Sequence, residues 1–103
     1  MKEKFTKEFE KKIGRLADKI NGMDADQIQE YLDGALDVEL RTNVRKEYRS
    51  VKAWVALRGP NICIDTDSGT VEGYWAGYKA ARAISAEAVG LIDEYYVDKF
   101  CCL

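Results

Sequence analysis

The chain has no histidine among its 103 residues. That removes the commonest general base, the commonest metal ligand and every catalytic triad that depends on an imidazole. Catalysis would then call for paired carboxylates, an activated lysine or cysteine, or a phosphate-cradling loop. There is no glycine-rich loop ahead of a helical segment, no Walker signature and no Cys-x-x-Cys pair. The expectation is a protein that is not an enzyme and takes no metal and no organic cofactor.

Cysteine is scarce as well: Cys63 stands in mid-chain and Cys101-Cys102 near the end, an odd count whose adjacent pair is badly placed for an ordinary bridge. All three read as reduced thiols of a cytosolic protein. Cys63, set between two isoleucines, reads as a small buried hydrophobe rather than a nucleophile. Phe100 occupies the place four from the end where a prenylation box would need cysteine. No apolar run approaches the roughly 20 residues of a membrane helix. Met1 leads into Lys-Glu-Lys-Phe rather than into the apolar centre of a signal peptide. A cytoplasmic protein without membrane association is therefore expected.

With 47% apolar and 33% charged residues, the chain can bury one core without a staple, so residues 1–103 are expected to form a single domain. The net charge of −2 implies no general attraction to nucleic acid, but the charges come in blocks. Bases dominate residues 1–22, residues 23–40 carry acids only, residues 41–58 are again basic, and residues 59–103 are acidic.

Hydrophobic periodicity divides the domain into a helical part over 1–35, an antiparallel sheet over 36–84 and a last helix over 85–100. Phe5, Phe9, Ile13, Leu16 and Ile20 recur at helical spacing, and Asn21-Gly22 suits a left-handed helix end. Asp24 with Gln27 three places on fits a capping box, followed by the stripe Ile28, Tyr31, Leu32 and Ala35, with Gly34 as the stop. The period then becomes two: Leu36, Val38 and Leu40 alternate with charges, as Val51, Ala53, Val55 and Leu57 alternate with Lys52, Trp54, Ala56 and Arg58.

Gly59-Pro60-Asn61 and Asp67-Ser68-Gly69 are turn sequences that separate short strands over 62–66 and 70–75. Gly73 and Gly77 suggest a bulge or bend before a further strand over 78–84, although Lys79-Ala-Ala-Arg-Ala83 has helical composition. Ser85 can cap the final helix, whose apolar edge is Val89, Ile92, Tyr96 and Phe100. The predicted fold class is α+β: two N-terminal helices, an antiparallel meander of four to five strands, and one C-terminal helix packed on the sheet.

Two surfaces are candidates for binding. If the second helix runs through Asp37, then Asp26, Glu30, Asp33 and Asp37 form one acidic stripe. It is either a solvated face or an imitation of phosphates offered to a nucleic-acid-binding protein. The other candidate is basic and aromatic: Lys52, Trp54 and Arg58 share one side of their strand, with Arg45, Lys46 and Arg49 upstream and Tyr74 extending the surface. Such a patch suits a protein-binding hot spot or a base-stacking platform. The pair Asp65 and Asp67 could hold Mg²⁺ or Ca²⁺, but the plain reading gives Asp67 the Asx-type bond that sets its turn. Trp75 reads as core, and the apolar edge of the last helix is able to support a homodimer.

The run Lys52-Ala-Trp-Val-Ala-Leu-Arg-Gly-Pro-Asn-Ile-Cys-Ile-Asp-Thr66, followed by Val71-Glu-Gly-Tyr-Trp75, resembles small uncharacterised proteins encoded on phages and integrated mobile elements of gram-positive gut bacteria. It covers about half of the chain, from Tyr48 to Phe100. The resemblance implies an inhibitor of host defence of the anti-CRISPR kind, whose partner is a bacterial defence nucleoprotein such as a CRISPR effector nuclease. It assigns no functional residue. Two alternatives stand beside it: an accessory protein that binds nucleic acid directly, and an antagonist that captures a small nucleotide signal in an aromatic pocket.

Overall fold

The structure, a computed structural model, describes residues 2–101. The elements run α1 (Lys2–Asn21), α2 (Ala25–Asp33), β1 (Asp37–Thr42), β2 (Tyr48–Ala56), β3 (Asn61–Asp65), β4 (Thr70–Trp75), β5 (Tyr78–Ala83) and α3 (Ala86–Cys101). The five strands form one antiparallel meander in the order β1-β2-β3-β4-β5, which is the α+β architecture that the periodicity predicts.

Helix ends follow from local chemistry. Around Asp24 the capping box is complete: its carboxylate accepts the Gln27 N–H at 2.8 Å, and Gln27 Oε1 accepts the Asp24 N–H at 3.0 Å. At Asn21-Gly22 no left-handed residue is used; the Gly22 N–H instead reaches back to the carbonyls of Asp18 and Lys19, both at 3.2 Å. Asn21 does further work, because its Oδ1 accepts the Ser85 N–H at 2.7 Å and so ties the end of α1 to the start of α3. Ser85 caps α3 through the Ala88 N–H.

All three helices lie on one side of the sheet. Helix α1 packs on β4 and β5, α3 packs on β2, and α2 packs on α3. The opposed rows Ala53, Ile64, Val71 and Ile62, Gly73, Ala80 point toward the helices. There they meet Phe9, Ile13, Ile20, Ile28 and Ile92 in one continuous core. At Gly73 an added Cβ would stand 2.6 Å from both Ile13 and Phe9, so only glycine lets α1 come this close.

That is Gly73's role, and not the expected bend: it pairs in regular register with Ile62 and Ala80. The irregularities fall elsewhere, between Arg41 and Thr42 and between Trp54 and Ala56. Val55 is the extra residue of the second bulge, so the alternation shifts beyond it. Leu57, expected inside, is 40% exposed.

Strand β5 forms against its composition. Six residue pairs with β4 and the tight Ala76-Gly77 turn, both residues at positive φ, fix it as a strand, and its Ala80 is buried under α1. Pairing in the sheet overrides a weak helical preference.

Candidate interaction face

Directly opposed residues of an antiparallel pair share a face. The register therefore assembles the side of the sheet that faces away from the helices. One row holds Glu39, Lys52, Asp65, Thr70 and Ala83; the next holds Asp37, Trp54, Cys63, Glu72 and Ala81; a third holds Asn61, Tyr74 and Lys79. Among the described residues no helix covers this face.

Aromatic and cationic groups alternate across its middle. The Trp54 and Tyr74 rings lie 6.3 Å apart at a 42° tilt. Lys52 Nζ sits 5.5 Å from the centre of the Trp54 ring, and Lys79 Nζ lies at the same distance from Tyr74. Each ammonium thus stands near the negative face of a ring, an attraction of about 0.5–1 kcal/mol at an exposed site. The indole N–H of Trp54 points at Glu39 Oε2, 3.5 Å away.

Beneath them two carboxylates are nearly buried and fully engaged. Asp65 accepts Arg41 Nη1 at 2.9 Å, Arg41 Nη2 at 3.1 Å and the Asp67 N–H at 2.9 Å. Glu72 accepts the hydroxyls of Tyr74 at 2.7 Å, Thr70 at 3.0 Å and Ser68 at 3.3 Å. Burial on its own would raise both pKa values; the hydrogen bonds outweigh it and hold both acids below the ordinary carboxylate range. The Tyr74 hydroxyl, bonded to Glu72, is pushed up to about 12. Cys63 is wholly buried in the middle of the row, and its burial followed by the neighbouring Glu72 charge pushes the thiol up to about 11. At neutral pH this leaves two fixed carboxylates, a neutral thiol and a neutral phenol.

Of the sequence-predicted basic and aromatic set, the structure brings together Lys52, Trp54 and Tyr74. Arg58 is not with them: past the Val55 bulge it enters the β2–β3 turn at φ +66, and its N–H donates to Asn61 Oδ1. Arg45 and Lys46 sit in the β1–β2 turn, where Asn43 Oδ1 accepts the N–H groups of Arg45 and Glu47. Arg49 is exposed at the bulged end of β2. Glu39, Arg41, Glu72 and Lys79 also belong to the face with no sequence signal of their own, and Asp65 joins it rather than a metal site with Asp67; the period of two carries them once the register is known. Trp75, read as core, is 41% exposed and leans on the rings of Phe5 and Phe9.

The acidic stripe forms only in part: Asp26, Glu30 and Asp33 fall on one exposed face of α2, and Asp37 does not join them. Helix α2 stops at Asp33, and Asp37 lies on β1 in the row of Trp54. Asp33, itself exposed, accepts from the Tyr95 hydroxyl and from Lys99 Nζ at 3.4 Å. The turn after β3 is set by Asp65 rather than Asp67: its carboxylate accepts the Asp67 N–H, and its carbonyl accepts the Gly69 N–H. No group of three or more Cys, Asp or Glu side chains able to hold a metal occurs among the described residues.

Fold and face together define a class: an α+β domain with three helices on one side of a five-stranded meander and a polar, aromatic sheet face on the other. No protein-family model, no curated protein and no solved structure matches the chain. No helix among the described residues is long and apolar enough to cross a membrane.

Proposed function

We propose that this chain is a non-catalytic protein-binding domain that engages its partner through the helix-free face of the sheet. The observation that carries the reading is the Trp54–Tyr74 pair, flanked by Lys52 and Lys79 on a face that no helix covers among the described residues. Rigid aromatic side chains of this kind dominate the energetics of protein interfaces. Asp37, Glu39, Asp65 and Glu72 match Arg41, Lys52 and Lys79 in number to within one, so the face has no cationic excess. Nucleic acid would demand such an excess, whereas a protein of mixed charge would not. The saturated carboxylates and the neutral, buried Cys63 also favour binding over acid–base or nucleophilic chemistry.

For the partner we keep the class that the resemblance implies: a bacterial defence nucleoprotein such as a CRISPR effector nuclease, inhibited by stoichiometric binding in the bacterial cytoplasm. The test is capture by the tagged chain from a lysate carrying several defence systems, with and without nuclease treatment, followed by a cleavage assay on the captured complex. The expected result is one nuclease recovered in both samples, cleavage that stops at a one-to-one ratio, and loss of both effects in Trp54→Ala and Tyr74→Ala. Capture and inhibition undiminished in both variants would overturn the assignment of the face.

A second reading has one specific observation behind it. Two lysine-flanked rings on an open sheet are also the furniture of a single-strand stacking platform. It predicts capture lost on nuclease treatment and affinity falling steeply between low and physiological salt.

A further inference from the structure

The outer strands of the sheet, β1 and β5, are its two edges, and they are protected differently. On β5 the charged side chains are Lys79 and Arg82, both basic, so two such edges repel each other. On β1 the charges are Asp37, Glu39 and Arg41, acid and base on one face two residues apart. The other side of β1 is apolar and poorly covered: Leu36, just before the strand, is 60% exposed and Val38 is 37% exposed. Val38 and Leu40 border an open groove of about 690 Å³ whose far walls are Leu32 of α2 with Leu91 and Tyr95 of α3. An edge strand with an unshielded apolar flank is a template for another strand.

We propose that the occupant of this edge is β1 of a second copy, paired antiparallel about a two-fold axis at Leu40. The charges select both the partner and the register. Opposed residues must share a face, so a symmetric pair must set some residue against itself. An axis at Val38 puts Asp37 against Glu39 twice. An axis at Glu39 pairs Asp37 with Arg41 twice but forces two glutamates together at its centre, and an axis at Arg41 opposes two arginines. Only the axis at Leu40 sets Glu39 against Arg41 of the second copy, twice, with Leu40 against Leu40 and Val38 against Thr42. Opposite charges directly across a ladder stabilise it and like charges destabilise it.

Arg41 is free to accept this second neighbour. It holds Asp65 of its own chain, yet 41% of its side chain remains exposed. The product is one continuous sheet in which the helix-free faces of both copies lie side by side, the two Trp54 residues roughly 25 Å apart by strand spacing and rise. The dimer does not depend on what that face binds.

The test is the mass of the full chain in solution, by light scattering or sedimentation over a wide concentration range. The expected species is twice the 11.7 kDa chain, and Glu39→Arg should return it to a monomer that still unfolds in one cooperative transition, at a somewhat lower temperature because the pairing and the Glu39–Lys52 opposition are both lost. Leu40→Lys should do the same. With Cys101 and Cys102 replaced by serine, oxidation should link Leu40→Cys into dimers but leave Glu39→Cys unlinked, because disulfide geometry tolerates only directly opposed positions. A monomer at every concentration overturns the proposal and leaves the edge to a partner's strand. A dimer indifferent to both charge changes, or one linked at position 39 and not at 40, overturns the interface and register.

Discussion

The two faces of the sheet are drawn from alternate residues of the same strands, yet they are stabilised in different ways. Toward the helices, Ile64 and Val71 are fully buried among apolar neighbours, and shape decides what fits. Away from them, Cys63, Asp65 and Glu72 are almost as inaccessible, but their neighbours are hydrogen-bonding groups, an ion pair and, by register, Trp54 and Tyr74. Burial on the first face makes a core. On the second it makes a platform, because the groups beneath are fixed and the rings above remain reachable.

This contrast can be broken most forcefully at Ile64. Ile64→Ala should cost about 2–5 kcal/mol, a large share of a small domain's stability, seen as a lower urea midpoint. A loss under about 1 kcal/mol would mean that the covered face is not close-packed.

Arg41→Ala attacks the polar face instead, leaving the Asp65 carboxylate without two of its bonds. The expected cost is about 1–3 kcal/mol, toward the lower end because Arg41 is partly exposed. The same variant should change the acid limb. Asp65 and Glu72 have folded pKa values below their ordinary 3.8 and 4.5, so the stability they contribute is complete above those values and is lost as pH falls through the lowered ones. Melting temperatures should decline steeply below about pH 4 in the parent and less steeply in Arg41→Ala; parallel declines would show that Asp65 does not carry the effect. The smallest effect on folding belongs to Trp54→Ala, about 1 kcal/mol or less, even though this variant should abolish partner capture. A large loss of stability there would move Trp54 from platform to core.

Much of this was legible in the residues. The stripe from Phe5 to Ile20, the Asp24–Gln27 cap and the alternation of β1 and β2 are local signals, and local chemistry settles them. What escaped depends on partners distant in sequence. The strand state of Lys79–Ala83 is decided by pairing with β4, and Gly73 is explained by Phe9 and Ile13, more than fifty residues earlier. The Val55 bulge removes Arg58 from the platform, although nothing at Arg58 announces it. Asp37 left the acidic stripe because Gly34 ended α2 one turn too soon for it. Lys79, Glu39 and Glu72 joined the face only when the register placed them beside Trp54 and Tyr74.

The connectivity of the meander also sets an order of assembly. Each strand pairs with its neighbour in sequence, so the sheet can grow through short loop closures that cost little chain entropy. Helix α1 is the exception, since it docks on β4 and β5 across most of the chain, with Phe9 against Tyr78. The first helix made is thus the last piece whose place exists, and amide exchange should find it opening before the central strands; exchange from β3 ahead of α1 would contradict this order.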